Sequence, residues 1–245
     1  MAGFFITIAY YHNNIMHIDF EYFPNIIPLS RYTDKTDNKR YYNSPNGPLP
    51  SVTTILSSTQ DKKKSEALAQ WRKNVGETKA ASITKLSTDI GTMAHSHIQA
   101  LAIGEEGITG NHPLRVQARE MAVSHFNHHW LPNISHIWGI ESDLYMDGIY
   151  AGATDAIVTY QGELCIFDIK TSRKCRTIDQ IHDYFIQIAG YSAAFESLTG
   201  TPINHGVIAL TTHNCTQQEW LINPEMMQSY KNEWYNRIEL YYDSL

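Results

Sequence analysis

The sequence predicts an α/β (α+β) fold: a central mixed β-sheet that contains an antiparallel meander and is flanked by helices. Three observations carry this expectation. The hydrophobic period is helical from about residue 61 to 131 and becomes two-residue alternation or short apolar runs from 136 onward. The turn signals "MDGIY" and "YQGE" separate three of those runs, so consecutive strands should pair antiparallel. The elements then follow in the order helices, meander, helix, strand, strand, helix, the order of a layered sheet. The chain has 245 residues, enough to bury a sizeable core, and no linker long enough to divide it. Residues 1–245 therefore read as one domain, with strands and loops over 1–60 and a helical region over 61–130.

Taken in order, residues 1–48 are rich in Tyr, Ile and Asn, with the turn signal "NSPNGP". The opening stretch "MAGFFITIAYYHNNIMHIDFEYFP" is apolar in patches, lacks a basic leader and is broken by Asn and His, so it reads as strand material rather than a signal peptide. In "LPSVTTILSST", Ser51 is placed to cap a short helix. Residues 61–75 are helical by composition and by the Leu68/Trp71/Val75 spacing. A third helix is predicted over about 87–103, and a fourth over "PLRVQAREMAVSHFNHHWL". The meander strands are "HIWGIESDLYMD", "YAGATDAIVTY" and "ELCIFDIKTS". A helix over 179–199 ends at Gly200 and Pro202. "HGVIALTT" and "TQQEWLI" are further strands, and a helix over 224–244 closes the chain.

Composition narrows the function classes. Hydrophobic content of 42% and charged content of 18% are those of an ordinary globular chain, and no apolar run reaches the roughly 18 residues of a membrane helix. Cys165, Cys175 and Cys215 are too few and too scattered for a disulfide frame or a four-thiolate cluster, and they suit a reducing cytoplasm. The net charge of −6 argues against one broad positive nucleic-acid surface, while leaving room for a local basic groove around an acidic centre. No internal repeat or low-complexity segment is present.

Two acids interrupt the strands. Asp155 and Asp168 lie among Ile, Val and Phe, and Lys170 shares a strand face with Asp168. Charged groups are seldom buried without a partner. Two carboxylates brought together repel unless a cation sits between them. Hard oxygen ligands suit Mg²⁺ or Mn²⁺, and a lysine beside them can orient a water or stabilise a phosphorane. The plainer alternative is a buried Asp168–Lys170 salt bridge with Asp155 in a turn or cap.

Asp155 followed by Asp168-Ile169-Lys170 on the next strand resembles the signature of the PD-(D/E)XK nuclease superfamily. The stretch "GATDAIV…YQGELCIFDIKTS" is similar to the RecB-like exonuclease branch, in particular its mitochondrial and phage relatives. "GTMAHSHIQ" resembles that branch's helical histidine motif, matching at Gly91, Thr92 and His95. "QIAGY" resembles its Gln-x-x-x-Tyr motif at Gln187 and Tyr191, and "LPSVTTIL" a segment near the start of these enzymes. The resemblance spans roughly residues 49–195 and implies a restriction-endonuclease-like fold with the 61–130 helices over the active site. It implies that Asp155, Asp168, the carbonyl of Ile169 and His95 bind the metal. Lys170 would position and activate the attacking water, and Gln187 would steady the site or the scissile phosphate. Tyr191 lies one turn further on the same helix face. Glu141 stands where relatives often carry an acid and would hold a second metal or a water. One departure is Gln99, where many relatives have Glu.

The remaining polar clusters have modest expectations. His95 and His97 point to different helix faces, so only His95 enters the site. His125, His128 and His129 have an i,i+4 pair but no HExxH pattern and no third ligand, so they read as a polar helix face rather than a zinc site. Lys62, Lys63, Lys64, Arg72, Lys73 and Lys79 read equally well as a solvated face or a phosphate contact. Thr171, Ser172, Arg173, Lys174 and Arg176, at and after the strand end, read as phosphate contacts. Ser51, Thr53 and Thr54 at a helix start are candidates for another phosphate. Trp71, Trp130, Tyr42 and Tyr191 are candidates for stacking bases.

The expected function is a Mg²⁺- or Mn²⁺-dependent deoxyribonuclease acting as an exonuclease on single-stranded DNA with free ends. The 61–130 helices would thread the strand. The setting would be DNA processing, replication or recombination in a phage, its host cytoplasm, or a bacterium. The alternatives are a structure- or duplex-directed endonuclease, an inactive nucleic-acid-binding subunit, and a zinc hydrolase.

Overall fold

The computed structural model describes residues 4–8 and 16–245. Positions 1–3 and 9–15 of the expected N-terminal strand material, and the side chains of residues 4–8, 16, 17 and Lys63, lie outside the described residues. Seven of the described strands form one mixed sheet. They are β1 (Phe4–Ile8), β2 (Met16–Phe20), β6 (Ile134–Met146), β7 (Tyr150–Tyr160), β8 (Glu163–Ser172), β9 (His205–Thr212) and β10 (Gln217–Ile222), lying side by side in that order. β6, β7 and β8 run antiparallel at its centre. The sheet is wider than that meander, and it is mixed because β2 joins β6 in parallel and β9 joins β8 in parallel. A small second sheet comprises β3 (Ser30–Thr33), β4 (Arg40–Ser44) and β5 (Gly47–Pro50).

The alternation of the strands sorts two layers onto the large sheet. Ile157 and Ile166 face α1 (Val52–Ser58), α5 (His182–Thr199) and α6 (Pro224–Asp243), in a core that includes Phe185, Phe195 and Trp234. Val158, Phe167 and Ile169 face the other way, against Ile98 of α3 (Glu77–Ala102) and Ala122 of α4 (Pro113–His125). A parallel pair needs a crossover connection, and α5 supplies it between β8 and β9.

Local signals explain the helix ends. The Ser51 hydroxyl accepts from the Thr54 amide and caps α1, as expected. Asn223 caps α6 in the same way, with Pro224 at the first helical position. α2 (Lys62–Val75) matches its expected span. α3 starts ten residues before the expected 87, because its first three turns present few buried apolar groups and Leu86 itself is exposed. No apolar stripe marks that segment in the sequence.

The fourth helix is not α-helical throughout. α4 ends at His125 and continues as a π-helical turn, Phe126–Trp130. The expectation of a polar histidine face is corrected here: His125 and His129 are fully buried, and only His128 is exposed. His125 Nδ1 lies 2.9 Å from the Thr211 hydroxyl, and His129 Nδ1 lies 2.9 Å from Glu219. Both partners sit on β9 and β10. Trp130 is fully buried as well, so it is core and not a base-stacking surface.

Candidate active site

Strand register assembles the acids. In the β6–β7 ladder, Ile140 pairs with Ala156 and Ser142 with Thr154, which sets Glu141 across from Asp155. The β7–β8 ladder runs from Tyr160↔Glu163 to Ala156↔Phe167, and the next position outward sets Asp155 across from Asp168. Glu141, Asp155 and Asp168 therefore form one row across three adjacent strands. The β7–β8 ladder stops at this row. Beyond it, the Asp155 Oδ2 accepts from the Ile169 amide at 2.7 Å, so a side-chain carboxylate replaces a backbone acceptor.

Lys170 follows Asp168 on the same strand face, and its Nζ lies 2.5 Å from Asp168 Oδ2. The same ammonium donates to Gln187 Oε1 at 3.3 Å, and Gln187 Nε2 donates to the Tyr191 hydroxyl at 2.8 Å. The Tyr184 ring lies 4.7 Å from the ammonium. The α5 side chains thus fix the lysine from one side. From α3, His95 Nδ1 comes within 3.6 Å of Asp155 Oδ1. That approach needs Gly91, because a Cβ there would stand 2.8 Å from the Thr171 hydroxyl on β8.

Burial and neighbouring charge set the protonation pattern. Burial pushes the Asp168 carboxyl up to about 6, against the pull of the Lys170 ammonium and with help from the Asp155 charge. Burial also opposes ionisation of Asp155, but the His95 imidazole, Lys170 and the Ile169 amide together outweigh it and hold that carboxyl below its ordinary value. Burial works against the Lys170 ammonium, and Asp168 with Asp155 more than compensates, so the lysine stays charged. Burial works most strongly against the His95 imidazolium, but the charge and hydrogen bond of Asp155 with the Asp168 charge together outweigh it, so His95 is raised on balance. Burial and the Asp155 charge raise Glu141, against a hydrogen bond from Gln99. That bond, Gln99 Nε2 to Glu141 Oε1, is 2.5 Å long. Glu141 also has a left-handed backbone, φ 48°, which a non-glycine residue holds only where its surroundings fix it.

Next to the row lies a cleft of about 530 Å³, lined by His95, Asp155, Glu141 and Gln187. Its other wall carries Arg31, Arg40 and Tyr42 of the small sheet. A second cavity of about 750 Å³ runs between α2, α3 and the end of β8, and Gly91 borders both. Trp71, Arg173, Lys174 and Arg176 line this second cavity.

Most expected site residues converge. Asp155, Asp168, Lys170, Gln187 and Tyr191 are joined by the contacts above, His95 reaches Asp155, and Glu141 completes the row. Thr171 packs under Gly91, and Ser172 accepts from Arg176 Nε at 2.9 Å. Ser51 is buried, with its hydroxyl engaged in the cap, whereas Thr53 is exposed on the cleft. Lys64 is turned to an ion pair with Asp183 at 3.0 Å. His97 is buried and accepts from the Ile108 amide at 2.8 Å, apart from the site. Sequence reasoning missed Arg31 and Arg40, which reach the cleft only through the docking of the small sheet. Gln99 was visible only as a departure from a motif; its bond to Glu141 depends on the packing of α3 against β6.

The donor set can be tested against a hard divalent cation. Asp168 Oδ2 is buried against the Lys170 ammonium, and Asp155 Oδ1 has only His95 at 3.6 Å. Two carboxylates on neighbouring strands fit Mg²⁺ or Mn²⁺, which are commonly held by one or two carboxylates and complete their shells with water and substrate oxygens. Among the described residues no three His, Cys, Asp or Glu side chains gather at metal-ligand spacing, and this includes His95, Asp155 and Asp168.

No protein-family model matches the chain. The chain is similar to proteins named mitochondrial genome maintenance exonuclease 1. The mouse protein is 26% identical over 204 residues, covering 79% of this chain and 59% of its own length. The Xenopus tropicalis protein is 25% identical over 80% of this chain and 58% of its own, and the human protein 24% over 79% and 58%. The chain thus spans less than two thirds of the length of these relatives. A solved Eubacterium rectale protein is 15% identical over 63% of this chain and 64% of its own, with a TM-score of 0.45, too low to bear on function. The sequence matches support a PD-(D/E)XK-like nuclease relationship. Among the described residues no helix is long and apolar enough to cross a membrane.

Proposed function

We propose that the chain is a metal-dependent exonuclease that hydrolyses DNA phosphodiesters and prefers single strands with free ends, in DNA processing, replication or recombination. The observation that carries this reading is the row Glu141–Asp155–Asp168 with Lys170 beside Asp168; Glu141 and Asp155 line the cleft, and Asp168 is buried behind them. The relatives' name supports the nuclease reading.

Asp155 and Asp168 would hold Mg²⁺ or Mn²⁺, with His95 and the Ile169 carbonyl as further donors. When bound, such an ion acts as a Lewis acid and lowers the pKa of its water. The chain's own groups do the rest. Lys170 presents a fixed positive charge where negative charge develops on the phosphorane. Gln187, bonded on both sides of its amide, holds the ammonium at its place. Glu141 and Gln99 form the wall on which a water or a second ion would rest. The basic end of β8, with Arg173, Lys174 and Arg176, would receive the backbone of the strand, and Trp71 would stack a base. The 61–130 helices would cover the site so that a strand threads from its end. The free cysteines suit a reducing compartment such as a bacterial or host cytoplasm.

The test is digestion of end-labelled linear single-stranded, linear duplex and circular single-stranded DNA with Mg²⁺ or Mn²⁺, with Lys170→Ala in parallel. Loss of the linear single strand alone, abolished in the variant, is the expected result. Cutting of the circle would assign an endonuclease, and no cutting at all would leave a binding subunit.

A further inference from the structure

The small sheet gives the cleft a wall of opposite charge to the acidic row. Arg31 pairs with Tyr42, and Thr33 with Arg40, in the antiparallel β3–β4 ladder. Directly opposed residues and their i±2 neighbours share a face, so Arg31, Arg40 and Tyr42 all present to one side. All three line the cleft that holds Asp155 and Glu141. The two arginines are diagonal neighbours, whose Cβ atoms typically lie about 7–8 Å apart, a span that lets both guanidiniums reach one phosphate. Both are exposed, and among the described residues neither sits in an ion pair. A hydrogen bond with the Tyr42 side chain does most to raise Arg31, the Glu141 and Asp143 charges add less, and the Asp143 carboxylate is engaged by the Leu29 amide at 2.7 Å. The other basic run, Arg173, Lys174 and Arg176, lies beyond Gly91 in the second cavity. The acidic row therefore has one cationic flank on each side.

We infer that Arg31 and Arg40 form a phosphate-binding subsite that recognises the terminal phosphate of the polynucleotide, across the row from the Arg173–Arg176 groove. This rests on the nuclease reading of the cleft. Two guanidiniums match a terminal phosphomonoester, which carries about −1.5 to −2 charge near neutral pH, better than a diester with a single charge. Bidentate forks suit the tetrahedral oxygens, and the Tyr42 hydroxyl stands beside them on the same face.

The experiment measures binding of fluorescent single-stranded oligonucleotides in EDTA, identical except for a 5′-phosphate, a 3′-phosphate or hydroxyls at both ends. The wild-type chain is expected to bind one phosphate-ended form about ten-fold tighter than the hydroxyl-ended form, the size of one charge-assisted hydrogen bond's net effect. Arg31→Gln/Arg40→Gln should bring that form down to the hydroxyl-ended level, and each single variant should lose part of the preference, with unchanged far-ultraviolet circular dichroism. Equal binding of all three forms by wild type, or an undiminished preference in the folded double variant, overturns the subsite. If DNA digestion with Mg²⁺ persists in that case, the nuclease reading stands and only the subsite falls. If wild type neither binds nor digests single strands, both fall.

Discussion

The ammonium of Lys170 lies 2.5 Å from Oδ2 of Asp168, two residues away on the same strand face, and this pair is enclosed by Gln187 and Tyr184. Lys170→Ala leaves a buried carboxylate without its counter-charge. Breaking such a pair costs about 3–5 kcal/mol, and removing the fixed charge should lower DNA cleavage by about 10²–10³-fold. Thermal melting and single-turnover digestion read the two effects separately. A variant that melts like wild type and cuts at wild-type rate would remove the lysine from the chemistry.

Gln99→Glu sets a second carboxylate against Glu141, whose own carboxyl burial and Asp155 already push up. The 2.5 Å bond becomes a like-charge contact. Without metal, the variant should be less stable by up to about 1 kcal/mol, as for a like-charge contact that solvent reaches. Added Mg²⁺ should raise its melting temperature more than it raises that of wild type. An equal rise in both proteins would show that Glu141 stands outside the cation's reach.

Acid should destabilise the chain through the buried His125. Burial holds His125 well below its ordinary value, so between that value and its folded one the unfolded chain binds more protons. Stability is then complete above about pH 6.5 and falls as pH drops, by about 1.4 kcal/mol per unit for one proton. The His129 bond holds Glu219 below its ordinary value, which acts in the same direction at lower pH. Denaturant titrations from pH 7.5 to 5.5 should show this slope, flattened in His125→Gln. The raised Asp168 and His95 oppose this slope equally in both proteins, so identical profiles in wild type and His125→Gln would contradict it.

Gly152→Ala should damage the site from a distance. A Cβ at this position on β7 would stand 2.8 Å from Tyr191 Cε1 and 3.2 Å from Val52 Cγ2. Both neighbours are locked in the core, so overpacking should cost about 1–3 kcal/mol. The Tyr191 ring should move away from Gln187 and loosen the hold on Lys170. Lower stability with a full cleavage rate would show that Tyr191 packs without positioning.

The strands of the meander, the capping serine and the set Asp155, Asp168, Lys170, Gln187 were legible because alternation, turn residues and motif spacing are local signals. The opposition of Glu141 to Asp155 was not, because the β6–β7 register shifts between Ile137 and Gly139 and no sequence rule counts across that irregularity. His125 and His129 lie four apart on a helix, which specifies a shared face but not whether it meets water or β9 and β10. Arg31 and Arg40 are two charges in a polar, turn-rich segment. Only the antiparallel pairing of β3 with β4 puts them on one side, and only the docking of that sheet turns the side inward.

The bond from the Ile169 amide to Asp155 has a consequence for how this chain can be inactivated or can drift. Removing the carboxylate also removes the acceptor that ends the β7–β8 ladder, so Asp155→Ala disturbs shape together with chemistry, whereas Asp155→Asn keeps an acceptor in place. A descendant that no longer needed the reaction would still be under pressure to keep an oxygen at this position. Loss of the reaction should therefore show at this position as Asp155→Asn rather than as a residue without a side-chain oxygen.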